Sequence, residues 1–298
     1  MPSRVIPLTV PLDLRLTIGL HSRGPRDPAM RVARGSAVRA TRTAGGPASV
    51  AIELTGGTIR AEAFGPGAER VLDGLPSLLG LDDDPSALVP VHPLVARLAR
   101  RLRGLRIGRT GAILEALVPA ILEQKVTGGE ASRAYRGLIR LYGEPAPGPL
   151  RLRLHPAPET LAALPYHAFH PLGVEQRRAD VIRRAARVAA RLEEAADMKP
   201  DAADARLRSV IGVGAWTAAE VRARALGDPD AVSVGDFHTK HLVAWTLAGE
   251  PRGTDARMLE LLEPYSGQRG RVIRLLEASG LAAPRFGPRL APRSIAEM

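Results

Sequence analysis

Apolar and polar positions alternate through Leu12-Asp13-Leu14-Arg15-Leu16-Thr17, the period of two that half-buries a β-strand. Val38-Arg39-Ala40-Thr41-Arg42 then runs into Gly45-Gly46-Pro47, and Ser49–Leu54 and Thr58–Ala63 flank Gly56-Gly57. Two hairpin signals in succession predict a small antiparallel sheet in the N-terminal part of the chain. Leu81-Asp82-Asp83-Asp84-Pro85 is a polar break, and a domain boundary is expected after residue 84.

Beyond the break the period becomes helical. Val91, Leu94, Val95, Leu98 and Leu102 oppose Arg97, Arg100, Arg101 and Arg103. Ile113 to Val126 is apolar around most of its surface and reads as a buried helix despite Pro119. From Val174 to Leu192 an apolar face opposes Arg177, Arg178, Arg183, Arg184, Arg187 and Arg191, a basic face of the kind usually just solvated. Shorter helices are predicted near 201–210, 215–226, 237–248, 254–262 and 268–279. Residues 283–298 read as a Pro/Arg-rich tail without regular structure. No internal repeat is visible.

Composition narrows the partners. Of the 298 residues 45% are apolar, enough for a core, and Lys+Arg 42 against Asp+Glu 31 leaves a formal charge of +11. Such a surplus favours a polyanion, either nucleic acid or an anionic membrane, and no amphipathic anchor supports the membrane. An arginine-rich coding bias is the bland explanation of the pI; it changes which cation is used, not the surplus. The absence of cysteine excludes disulfides, Cys-ligated zinc and iron–sulfur clusters. No stretch approaches the roughly 18 apolar residues of a membrane span. Met1-Pro2-Ser3-Arg4 lacks an export pattern, so a cytoplasmic protein is expected.

The chemistry concentrates in Ile211-Gly212-Val213-Gly214-Ala215-Trp216-Thr217-Ala218. Two glycines separated by one apolar residue make a tight turn between helices, and amides opening the second helix suit a phosphate. Gly-x-Gly alone is as readily an ordinary turn. About 20 residues on, Val232-Ser233-Val234-Gly235-Asp236-Phe237-His238 reads as an extended run stopping at Gly-Asp, where aspartate is also a favoured N-cap.

Together these segments resemble the helix-hairpin-helix, Gly/Pro-rich loop and aspartate motif of the base-excision DNA glycosylases, with Gly212, Gly214, Thr217, Ala218 and Asp236 in its places. The DNA-3-methyladenine glycosylase II branch is the most similar, since Ile121-Leu122-Glu123-Gln124-Lys125-Val126-Thr127 resembles its DNA-penetrating loop. The resemblance implies an α+β fold. Residues 1–84 would be a mixed β domain like half of a TATA-binding protein, and 85–282 a helical helix-hairpin-helix region holding the active-site cleft.

It further implies a monofunctional glycosylase that flips a damaged, alkylated purine from double-stranded DNA, without cofactor, as a monomer. Asp236 would be the catalytic carboxylate. Gly212, Gly214 and Thr217 would bind phosphate, and Gln124 and Lys125 would wedge into the duplex; Lys125 is also readable as a surface lysine. Trp216, Tyr265, Glu220 and Phe237 would line the pocket, against core or solvated readings for each, and Tyr166, Phe169 and His170 fit pocket or core. Bifunctional relatives carry a lysine where Trp216 stands, so hydrolysis without strand cleavage is expected. His238 and His241 have no third ligand and predict no metal, while hairpin carbonyls of Ile211 or Val213 suit a structural cation by resemblance only. Two alternatives stay open: a glycosylase for uracil or hypoxanthine, and a non-catalytic module binding damaged DNA.

Overall fold

The structure, a computed structural model, describes residues 2–284; the expected tail lies outside the described residues from position 285 on. Five antiparallel strands form one sheet of order β1-β5-β4-β3-β2: β1 (Ser3–Pro7), β2 (Met30–Val32), β3 (Ser36–Thr43), β4 (Gly46–Thr55) and β5 (Thr58–Phe64). Opposed residues Val50↔Ala63 and Ile52↔Ala61 set the register and turn one side of the sheet inward. Three short helices cover that side: α1 (Leu14–Ile18), α2 (Ala68–Asp73) and α3 (Leu75–Leu78).

The strand expected around Leu12–Leu16 is therefore a helix. Asp13 caps it by accepting from the Leu16 amide at 3.0 Å. Leu14, Thr17 and Ile18 bury at helical spacing, so the alternation of three leucines was coincidental with a stronger local signal.

The helical region holds two cores rather than one. The first is built from α5 (Ile113–Leu122), α6 (Gly128–Tyr142), α7 (Pro158–Ala163), α8 (Tyr166–Phe169), α9 (Gln176–Arg187), α10 (Ala189–Glu193), α11 (Pro200–Arg208) and α12 (Ala215–Val221). α12 runs on through one π-helical turn, Arg222–Leu226. The second joins α4 (Pro93–Arg101) to α13 (Thr239–Ala248), α14 (Asp255–Leu262) and α15 (Arg269–Ala278). α4 thus leaves its sequence neighbours to pack with the C-terminal helices. The polar break before it is pinned, not loose. Asp83 forms a buried ion pair with Arg271 and accepts from the Ile107 amide at 3.0 Å.

α5 is buried at every position except Glu115 and stops at Leu122, four residues short of the expected end. Lys125, in the left-handed region at φ 55°, takes the chain out of the helical path. Arg178, expected on the solvated face of α9, turns inward instead and donates to the carbonyl of Leu122 at 2.8 Å, capping the end of α5. The longest helix, α6, follows directly. Its start is a capping box, in which Thr127 and Glu130 satisfy each other's backbone amides. Residues 123–127 are consequently a turn held between two capped helix ends.

Candidate active site

The hairpin between α11 and α12 needs its first glycine twice over. Gly212 has φ 100°, and a Cβ built there would stand 2.3 Å from Val181 Cγ2. Gly214 is extended (φ −96°, ψ −178°) and faces open space, with no side-chain cap on the amides that begin α12. Ile211 stands exposed at the tip. Its carbonyl accepts from Arg184 Nε at 3.2 Å.

Asp236 opens the approach to α13 in the second core. Gly235, at φ 94°, turns the chain before it, and its amide donates to Asp255 Oδ1 at 2.9 Å. Upstream, the Arg271 amide donates to the Pro229 carbonyl at 2.8 Å, tying the loop to α15. Gly270 lets that loop lie close, since a Cβ there would fall 2.7 Å from the Ala231 carbonyl. Asp236 Oδ1 accepts from the amides of His238 and Thr239 at 2.8 Å each and from Thr239 Oγ1 at 3.0 Å. Among the described residues Oδ2 meets only Trp216 Nε1, at 3.3 Å, across the junction between the two cores.

Burial by itself would raise the Asp236 pKa. The donors on Thr239 and His238, with Trp216, outweigh it and hold the carboxyl below its ordinary value. Asp236 has no cationic side chain within ion-pair distance among the described residues. It is an ionised acid with one oxygen saturated and the other largely free.

The remaining expected site residues divide sharply. Gln124 sits beside the hairpin, but its Nε2 donates to Thr217 Oγ1 at 2.8 Å and to the Gly212 carbonyl at 3.1 Å. It braces the turn after α5 against the hairpin. Thr217 is accordingly buried behind the hairpin, its hydroxyl turned to Gln124 rather than outward. Lys125 is exposed at the turn. Trp216 is half-buried beside Asp236, and Phe237 is 68% exposed, edge-on to His238 and His241.

Tyr265 is a correction: it is 4% exposed in the second core, and its hydroxyl accepts from the His92 amide at 2.9 Å. Glu220 is another. It is paired with Arg224 through one oxygen and bonded by Ser233 Oγ through the other, so its carboxylate is held within the fold. Ser233 also receives the Asp236 amide on its carbonyl at 3.1 Å, so Glu220 registers the aspartate loop against α12. Phe169 is fully buried in the first core, and Tyr166 packs against that core, edge-on to His170. Among residues not anticipated, Thr239 follows Asp236 by three, a spacing readable as a cap. Asp255 carries no such signal, because only the packing of α14 on α13 brings it near. No group of three His, Cys, Asp or Glu side chains suits a metal among the described residues.

With this geometry in view, the sequence matches the HhH-GPD superfamily base excision DNA repair protein family over residues 118–266, half of the chain. The chain belongs to that superfamily. It is 32% identical over 166 residues to the probable bifunctional transcriptional activator/DNA repair enzyme AlkA of Mycobacterium tuberculosis, covering 54% of this chain and 33% of that protein. The chain thus spans about a third of the length of that curated relative. The fold is similar to that of 3-methyladenine DNA-glycosylase from Archaeoglobus fulgidus, with TM-score 0.77 at 20% identity, covering 92% of this chain and 97% of the other. It is also similar to the Clostridium acetobutylicum 8-oxoguanine glycosylase/lyase, with TM-score 0.72 at 14% identity over 93% and 96% of the two chains. The superfamily match includes Gln124, the hairpin, Asp236 and Tyr265. The sheet lies N-terminal to it.

Proposed function

We propose that this superfamily member is a monofunctional DNA glycosylase that hydrolyses the N-glycosidic bond of alkylated purines in duplex DNA. The observation that carries this reading is the asymmetric bonding of Asp236. Reaching a base inside a duplex requires swinging the nucleotide out, at a cost of a few kcal/mol. The uncapped amides opening α12 suit the phosphate that anchors the strand. Lys125, exposed at the turn after α5, is placed to enter the gap, with Gln124 fixing that turn to the hairpin.

Departure of the base leaves positive charge on the deoxyribose. Oδ2 of Asp236 faces that charge already ionised, and Oδ1 is locked by three donors, so no reorganisation accompanies the reaction. The same oxygen can orient and deprotonate the attacking water. A methylated purine carries its own positive charge and leaves without a general acid. Trp216 has no amine to form a Schiff base, so the strand stays intact after base release. A neutral base such as uracil or hypoxanthine would need hydrogen bonds from Glu220 or Gln124; Glu220 is held by Arg224 and Ser233, and Gln124 Nε2 by Thr217 and the Gly212 carbonyl.

The protein is expected to release 3-methyladenine or 7-methylguanine from methylated duplex without nicking it. Release of uracil with no methylated purine overturns the alkylation reading, and strand cleavage overturns the monofunctional one.

A further inference from the structure

The outer face of α6 carries a charge pattern that the Asp236 site does not use. Gly129, Arg133, Arg136 and Arg140 recur at intervals of four, three and four residues and so line one side of the helix. The opposite side, with Ala131, Ala134, Tyr135, Leu138 and Ile139, is buried. Arg26 joins the row from the loop before β2, where its neighbour Asp27 accepts from Tyr135 of α6 at 3.2 Å. Several arginines elsewhere are neutralised: Arg183 by Asp180, Arg206 by Glu194, Arg257 by Glu250 and Glu260. None of Arg26, Arg133, Arg136 and Arg140 has an ion-pair partner among the described residues. Partial desolvation and repulsion from Arg26, Arg140 and Arg133 push the Arg136 pKa down. Asp27 offsets only part of this repulsion, and a row of like charges is a standing cost that a polyanion would relieve.

Its position says which polyanion. α6 begins at the Thr127 cap, two residues after exposed Lys125, so the row leads away from the turn proposed to enter the duplex. At 1.5 Å per residue Arg133 to Arg140 covers roughly 10 Å, about three phosphates of one strand at 3.4 Å each. Guanidinium forks match phosphate oxygens, and exposed Leu141, next to Arg140, is a single aliphatic residue, short of the apolar face a membrane-surface helix presents.

We infer that this face of α6, with Arg26, is a second backbone track that holds phosphates of the duplex flanking the lesion. It rests on the duplex-DNA reading above and extends the footprint beyond the hairpin. The test is a quadruple variant, Arg26→Gln, Arg133→Gln, Arg136→Gln and Arg140→Gln, with a matched quadruple lysine variant. Dissociation constants are measured on a short and a long duplex between 50 and 200 mM salt.

For the glutamine variant, the slope of log affinity against log salt should flatten by about 2 to 3, one for each lost phosphate contact. The loss should be greater on the long duplex, and the single-turnover rate of base release at saturating enzyme should not change. The lysine variant should keep the wild-type slope. An unchanged slope in the glutamine variant overturns the track, as does an equal loss in the lysine variant. So does a loss confined to phosphatidylserine vesicles with DNA binding intact. If the wild type releases damaged bases while the slope ignores these arginines, only the track fails; if it binds no duplex at all, the glycosylase reading fails first.

Discussion

Two regions of this protein gather buried carboxylates under several donors, and they differ in what they leave free. In the seam between the sheet and α5, Glu115 accepts from Thr41 Oγ1 and the Arg42 amide at 2.9 Å each on one oxygen. Its other oxygen accepts from Arg39 at 3.0 Å. Asp27, nearby, takes the Ala29 amide and Tyr135 hydroxyl on one oxygen and the Arg23 amide on the other. At the junction of the two helical cores, Asp236 has one oxygen filled and the other holding a single donor. The seam carboxylates are enclosed, Asp27 at 3% exposure, and serve to join the sheet to the helices. At the junction Asp236 is only partly buried, and that access is what chemistry requires. Glu220 extends the lesson: it lies one turn from Trp216, yet Arg224 holds one of its oxygens and Ser233 the other.

The comparison can be broken at either end. Asp236→Asn should give the largest effect, lowering base release about 10³-fold or more while duplex binding stays within a few-fold of wild type. Single-turnover kinetics on methylated duplex, paired with an equilibrium binding measurement, check it. In the seam the deficit should appear in stability instead. Glu115→Ala strands Arg39 and should cost roughly 3–5 kcal/mol in denaturant unfolding, with release per folded molecule unchanged.

Gly212→Ala lies between the two classes, straining φ and crowding Val181 for about 1–3 kcal/mol and weakening DNA binding along with it. Trp216→Phe is the smallest and the sharpest. It removes the one donor on Oδ2, so the Asp236 pKa should rise toward the ordinary carboxylate value and the acid limb of the pH–rate profile should move to higher pH. An unmoved limb would mean that this hydrogen bond does not tune the acid.

Acid stability follows the same division. Burial opposes ionisation of Glu115, but His155, Arg39 and the surrounding donors hold its pKa below the ordinary value. A depressed carboxyl contributes stability that is present above its unfolded pKa and lost as pH falls through the folded one. Glu115→Ala should therefore weaken the dependence of Tm on pH in the acid range, below the ordinary carboxylate pKa.

What was legible in the sequence was what neighbours in the chain decide. Gly212, Gly214, Trp216 and Asp236 fall within two short segments, and the strands of the β3-β4-β5 meander are bounded by their own turn glycines. Tertiary pairing hid the rest. Nothing near Glu220 in the chain says that Ser233 will occupy its second oxygen. Tyr265 looks like a pocket aromatic until His92, 173 residues earlier, takes its hydroxyl. Arg178 resembles its solvated neighbours until the end of α5 demands a cap. The α6 helix is not among the expected elements, although the Thr127–Glu130 capping box was there to be read.

The central claim is that an ionised Asp236 faces a sugar that turns cationic. The most direct measurement compares affinity for duplexes holding either a cationic pyrrolidine or a neutral tetrahydrofuran in place of the damaged nucleoside. Wild type should favour the cation by about 10²-fold or more, as expected of a transition-state mimic, and Asp236→Asn should lose that preference. Equal affinity of the wild type for the two duplexes would contradict the account.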